Sequence, residues 1–424
     1  VITSLRFSPL SNKHWIPPLH SRSETAIQDH YLYLSTPEVT PFLVTVTDGN
    51  GAPFPGSPFS LSQATPVVIT IGNGQPTKMF LDIADVNTVV SNSGIIAQGS
   101  KDFYASFRMR HTSHAETLIS KGRPGIGTSF RLGCMINETL DNRKSFVSSV
   151  MATEDNTTVT LSNYDTGVIF TSGTGDITSD SQTFVLNEGQ SVVFSGYSLY
   201  IENLEGIIGA LISSDKPVAV NTGNALGGID EGRGDFTLDQ IVSASQIGTE
   251  YIFIEGNGTP EMETPLIVAH EDGTEVFVND DTTPVVTINA GQFYLVPNSR
   301  YQGTINRNIY VKTNKPVFAY QLIGGGNDTA TSGMNFIPPL SCFFQNSVNI
   351  PAVDQIGSTS YTSDLMILTY SNATLTVDGN PVPNTQAQNV LGNTDWVTYR
   401  ISGVTGDVNV VSTGPLAVGV FGFL

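Results

Sequence analysis

Charge is scarce in this chain of 424 residues. Asp, Glu, Lys and Arg make up 13% of it, well below the share usual in globular proteins. The charge present leans acidic, with 38 Asp and Glu against 19 Lys and Arg, for a formal net charge of −19. The basic residues are scattered, which excludes a nucleic-acid partner, because phosphate contacts need clustered Lys and Arg. Cysteine is nearly absent. Cys134 and Cys342 lie far apart and make neither a disulfide framework nor a metal-binding spacing. They read as two buried thiols, with a single long-range bridge as the alternative. No apolar run approaches the length of a membrane-spanning helix, and no leader-like charged and apolar segment opens the chain. The sequence starts without Met and ends on the strand-like Phe421-Gly-Phe-Leu424, so the natural protein is expected to continue past that point, with any leader already removed. Thr, Ser, Asn and Gly fill the places that charge leaves open, which is the habit of extracellular β proteins.

What is present is turn chemistry between short apolar runs. In residues 248–323, Tyr251–Ile254 and Leu266–Ala269 are strand-like. The latter runs into Glu271-Asp-Gly-Thr274, a tight-turn signal, and out again at Val276–Val278. Val285–Ile288 and Phe293–Val296 flank Asn289-Ala-Gly-Gln292, and Ile309–Lys312 and Val317–Ile323 flank Thr313-Asn-Lys-Pro316. No run is long enough for a helix, and the strand density is that of a β-sandwich module.

The rest of the chain repeats this stretch in the same order. Asn314-Lys-Pro316-Val returns as Asp215-Lys-Pro217-Val and Thr413-Gly-Pro415-Leu, with the three prolines evenly spaced. Glu271-Asp-Gly-Thr274 returns as Glu154-Asp-Asn-Thr157, and Ile288-Asn-Ala-Gly-Gln292 as Leu186-Asn-Glu-Gly-Gln190, with Leu391-Gly-Asn-Thr394 a weaker echo. A worn first copy shows in Thr47-Asp-Gly-Asn-Gly51 and Gly99-Ser-Lys-Asp102. The expected fold is all-β: four imperfect tandem sandwich-like modules of about 100 residues each, packed in series, with one closed propeller-like ring as the alternative. The expected divisions are 1–126, 127–247, 248–356 and 357–424. The prolines are expected in the turn before each module's last strand, with Val218 and Val317 facing the core.

Three irregular connections, 108–126, 223–240 and 324–340, leave the same final strand of successive modules and are expected in equivalent places. Loops on rigid β scaffolds collect binding residues. The candidates are His111, His114, Lys121, Arg123, Asp230, Glu231, Arg233, Asp235, Asn327 and Asp328, weighed against plain linkers. Arg233-Gly-Asp235 is the tripeptide integrins read, though a flexible connector is its plainer reading. No nucleophile elbow, phosphate-cradling loop or outstanding carboxylate pair is present, and no catalytic residue is assigned. The pair in Arg110-His-Thr-Ser-His114 lacks a third metal ligand. Asp48-Gly-Asn-Gly51 and Asn279-Asp-Asp281 leave calcium open without assigning a ligand, since Asp and Asn are also ordinary turn residues. No other cofactor is expected.

Several segments together resemble the N-terminal domain family of IgG-Fc-binding proteins. They are Lys13-His-Trp-Ile-Pro-Pro-Leu19, Tyr31-Leu-Tyr-Leu-Ser-Thr36, Val150-Met-Ala-Thr-Glu-Asp-Asn-Thr-Thr158, Asp239-Gln-Ile241 with Gly248-Thr-Glu-Tyr-Ile-Phe253, Val268-Ala-His-Glu-Asp-Gly-Thr274 and Asn335-Phe-Ile-Pro-Pro-Leu-Ser-Cys342. The resemblance covers essentially the whole chain. It implies a setting in large surface proteins of Bacteroidota such as flavobacteria, exported by the type IX secretion system and associated with gliding motility. The expected function is a secreted or cell-surface adhesion or ligand-binding module without catalysis. Its partner would be an extracellular glycan or protein, or the secretion and anchoring machinery. The alternatives are a carbohydrate-active enzyme and a purely structural stalk.

Overall fold

A computed structural model describes residues 2–4, 9–22, 27–229, 234–325, 328–340 and 344–423. Apart from one helical turn, Gly122–Gly125, and short 3-10 turns, the regular structure among these is β, and every pairing between named strands is antiparallel. No helix among the described residues is long and apolar enough to cross a membrane.

One long strand organises each module. In module 1 it is Ile95–His111, whose first half pairs with Ser11–Ile16 and Phe42–Thr47. Its second half pairs with His30–Ser35 and His114–Ile119. The strand therefore belongs to two sheets, and the side chains between them form the module core. Module 2 repeats the plan around Leu211–Gly227, flanked by Gly127–Arg131, Thr157–Ser162, Asp141–Ala152 and Asp235–Ile241. Module 3 repeats it around Asn308–Gly325, with Gly248–Ile254, Thr274–Val278, Pro265–Ala269 and Asp328–Ile337. In module 4 the long strand is broken into Val408–Ser412 and Leu416–Phe423.

The even prolines mark the crossing from sheet to sheet. Pro217 and Pro316 lie within their long strands, not in a turn between two strands as expected. The pairing register slips there, between Ser213 and Val218 and between Lys312 and Val317. A residue without an N–H is tolerated at such a bulge, where the ladder is already interrupted. Pro415 sits in the gap between the two pieces of the module 4 strand. Val218 and Val317, just past the bulges, are fully buried as expected.

The modules are not packed in series as expected: the last returns to the first, and the contacts are those of the alternative, a ring. Phe80 and Phe107 of module 1 share a core with Val147, Val193 and Phe236 of module 2. Leu132 and Val220 of module 2 share one with Leu266, Phe318 and Tyr320 of module 3. Ile252 and Tyr310 of module 3 pack on Leu368 and Trp396 of module 4. Ser347–Ile350, placed in module 3 by the expected division, pairs with Val408–Ser412 and so belongs to module 4, which returns to module 1, where Tyr104 and Ile119 join Val348 and Leu365. The buried Arg108 donates to the carbonyls of Pro351, Ala352 and Gln355 at 2.6–2.9 Å. The glycine of the repeated Asn-x-Gly-Gln turn explains its recurrence. Gly189 (φ +78°) lies against Gly49 of module 1, backbone to backbone, where a Cβ has no room; Gly291 (φ +84°) keeps the same left-handed turn against Gly209 of module 2, and there it is Gly209 that has no room for a Cβ.

At the centre of the ring the strands that follow each long strand, His114–Ile119, Asp235–Ile241 and Asp328–Ile337, pack together as a hub. The fourth place, beside Leu416–Phe423, is taken by the N-terminal strand Ile2–Ser4, in the register Ile2 to Phe421 and Ser4 to Gly419. Ile2–Ser4 also packs on the hub strands of modules 1 and 3, so the two ends of the chain meet in one module.

Candidate functional site

The stretches expected to present binding residues do occupy equivalent places, but at the hub and as strands rather than exposed loops. His111 ends the long strand of module 1, is buried, and stacks on His114 with ring centroids 5.1 Å apart. Asp235 is buried and accepts from the N–H groups of Ala115 (3.1 Å) and Phe236 (2.8 Å). Lys121 is buried against Asp239, its Nζ 3.0 and 2.9 Å from the two carboxylate oxygens. The expectation of solvent-facing contact groups therefore fails for His111, Lys121 and Asp235. Four modules meeting at one axis leave each hub strand covered on both faces, so its polar groups must pair across modules. His114 is partly exposed, with its Nδ1 3.7 Å from Asp235. Arg123 is exposed, donates to Asn12 at 2.8 Å and lies over the Trp15 ring. Asp328 opens the hub strand of module 3. Asp230, Glu231, Arg233 and Asn327 lie outside the described residues, as does Cys342. Cys134 is a buried free thiol, pushed up by burial.

The hub is unusually polar for an interior. Asp239 ties three modules together, accepting from Ile119 N–H of module 1 (3.3 Å) and Phe336 N–H of module 3 (3.1 Å) beside its Lys121 pair. Burial works against charge on both partners, pushing Asp239 up and Lys121 down, and their contact pulls each back. Burial also holds Glu116 well above the usual carboxylate range. These groups are buried. They fix the modules' mutual register.

In the acidic turns weighed for calcium, Asp48, Asn279 and Asp281 are taken up by backbone groups and basic side chains of the chain itself. Asp48 accepts from Asn50 and Ala52 N–H at 3.0 Å and pairs with Lys78 at 2.8 Å. Asn279 bonds Arg300 and Tyr310, and Asp281 pairs with Arg300 at 2.6 Å. Among the described residues no cluster of His, Cys, Asp and Glu is arranged to hold a metal.

A site with room for a ligand lies on the flank of the ring, between modules 1 and 2. It is an open cleft of about 530 Å³, within the range of ordinary ligand pockets. Its module 1 wall is His20, Arg22, Gln75 and Asp82. The first of these follow Ile16-Pro-Pro-Leu19, which is anchored by Leu19 N–H to Met79 (2.6 Å) and Leu81 N–H to Leu19 (2.8 Å). Asp82 caps the 3-10 turn Ile83–Asp85 through Ala84 N–H at 3.0 Å. The module 2 wall includes Tyr197, at the end of the strand Ser191–Ser198, and Tyr200, which leads into the turn Ile201–Asn203. The floor is pre-set. His20 Nδ1 lies 2.9 Å from the Leu81 carbonyl, which can only accept, so that nitrogen carries the proton. His20 Nε2 then accepts from the Tyr197 hydroxyl at 3.0 Å. Burial lowers His20 and keeps it neutral. Arg22 lies over the Tyr197 ring, 4.3 Å from its centroid. Tyr200 donates to Asp176 at 2.6 Å. These residues belong to different modules and turns, so no local motif marks them. The one legible signal is Leu199-Tyr200-Ile201, an apolar run in a turn, of which Leu199 and Ile201 stay exposed.

A family model described as IgGFc binding protein matches residues 115–422. No curated protein matches the chain. Among solved structures, the crystal structure of a tetra-tandem repeat in the extending region of a large adhesion protein is 12% identical, with 97% of this chain and 99% of that chain covered. Its TM-score is 0.09.

Proposed function

Because the chain belongs to the IgGFc binding protein family, we propose that it is a non-catalytic binding module working outside the cell, and that its ligand seats in the cleft between modules 1 and 2. One observation carries this reading. The cleft is open, of ligand size, and built from side chains fixed before any ligand arrives, on two modules locked into one ring. Preformed polar groups around an open concavity cost little ordering on binding. The low charge and the Thr, Ser and Asn surface support an extracellular setting. The surface display in Bacteroidota, with type IX export, that the sequence resemblance implies belongs to this reading and rests on that resemblance alone. The family's name makes immunoglobulin Fc one protein to try and assigns no partner to this chain.

The purified chain is presented to two arrays, one of extracellular proteins including immunoglobulin Fc and one of glycans. Saturable binding on at least one array is expected, weakened tenfold or more by the double substitution Arg22→Ala and Tyr200→Ala with the melting temperature unchanged. Full binding by that variant would remove the cleft from the function. Chemical turnover of a bound ligand would replace binding with catalysis.

A further inference from the structure

We infer that the cleft between modules 1 and 2 takes a neutral glycan about the size of a disaccharide; this rests on the reading of that cleft as the binding site. Ligand chemistry is set by what the walls offer once their internal bonds are made. Three backbone donors along the module 2 wall are already committed. Ile169 N–H goes to Asn203 Oδ1 (2.9 Å), Thr171 N–H to the Ser195 carbonyl (2.8 Å) and Gly175 N–H to the Ser172 carbonyl (3.2 Å). An extended peptide adding itself as a strand would need those groups. On the side chains there remain carboxylate acceptors beside the guanidinium donors of Arg22. Asp82 uses one oxygen on its cap and Asp176 uses one on Tyr200, which leaves each with a second oxygen. Carboxylates accept only, and the ligand that suits them brings several hydroxyl donors.

Two further features narrow the class. Among the described residues Arg22 is the one cation lining the cleft, already seated over Tyr197; two carboxylates, Asp82 and Asp176, line the cleft with it, while His20 stays neutral. An anionic ligand would meet net negative charge here, on a chain of net charge −19. Beside the acceptors stand apolar faces. Tyr200 is half-exposed with its hydroxyl tied back, and Leu199 and Ile83 are exposed next to it. A pyranose ring offers hydroxyls at its edge and C–H groups on its faces, which matches acceptors set beside apolar surface. A volume of about 530 Å³ exceeds what a single ion or small metabolite fills.

The test titrates the intact chain with lactose, maltose, cellobiose and N,N′-diacetylchitobiose by calorimetry, with the anionic sialyllactose as contrast. The expected result is saturable binding of at least one neutral disaccharide and weaker binding of sialyllactose. The double substitution Asp82→Asn and Asp176→Asn keeps both side-chain shapes and is expected to weaken the neutral ligand tenfold or more. No binding by any neutral disaccharide, or binding indifferent to that substitution, overturns the inference. If sugars fail while an array protein is still lost on Arg22→Ala with Tyr200→Ala, the glycan inference falls and the binding cleft stands. If that variant binds everything as the parent does, the cleft itself falls.

Discussion

Lys121 and Asp239 show how a single pair can hold modules together. Both side chains are almost fully buried, with relative exposures of 3% and 1%. Lys121→Ala would leave a carboxylate unpaired at the hub, and the expected loss is about 3–5 kcal/mol in chemical denaturation. A loss under 1 kcal/mol would mean that the hub admits water or a counterion. Two other buried groups set opposite responses to pH. Glu263 accepts from the N–H groups of Gly256, Gly258 and Gly324 at 2.8–2.9 Å, and burial holds it up to about 7 from an ordinary 4.5. A carboxyl raised on folding contributes stability that is full below about 4.5 and is lost as pH rises through 7. His14, wedged between the Ser120 hydroxyl and the carbonyls of Ser11 and Phe103, is lowered by burial from 6.5 to about 4. Its contribution is full above 6.5 and is lost as pH falls towards 4. The stability difference between parent and Glu263→Gln should therefore shrink from pH 4.5 to 7. That between parent and His14→Gln should shrink from 6.5 to 4. Urea unfolding across this range checks both, and flat differences would refute the burial account.

The long strands carry the fold at the next scale. Val317 lies fully buried just past the bulge at Pro316, and Val317→Asp is expected to cost several kcal/mol through an unpaired buried charge. A variant melting within a degree of the parent would reject the assignment of that strand to the core. Much of this scale is legible in the sequence. Alternating apolar runs, Asp-Gly turns and evenly spaced prolines announce antiparallel modules in a fixed order. The role of the prolines is not legible. Asp215-Lys-Pro217 and Asn314-Lys-Pro316 look like turns because turns and bulges use the same residues, and only the register of neighbouring strands separates the two. The hub strands are misread for a related reason. Asp235-Phe-Thr-Leu-Asp-Gln-Ile241 alternates like a half-solvated strand, yet Asp235, Asp239 and Gln240 are all buried, because the polar face meets other modules instead of water.

The whole molecule is a closed ring, and small-angle scattering should give a radius of gyration of roughly 22 Å, the value for a compact chain of this length. A much larger value would return the modules to a row. Closure is also why the candidate site is hidden in the sequence. His20 and Tyr197 come into contact only once modules 1 and 2 are set side by side. The closure has a mechanical consequence. The N-terminal strand and the last strand run antiparallel with Ile2 beside Phe421, so the two ends of the chain leave the same end of the pair. Tension applied through those ends loads the ladder bonds one after another, as in peeling tape, whereas a strand pair pulled along its length shares the load among all its bonds. In an optical trap, the first rupture should come at low force and release about the length of the N-terminal segment. The other three modules, whose hub strands are tethered by hairpins, should hold to higher force. A shackle that opens first under load gives the ring a built-in weak link.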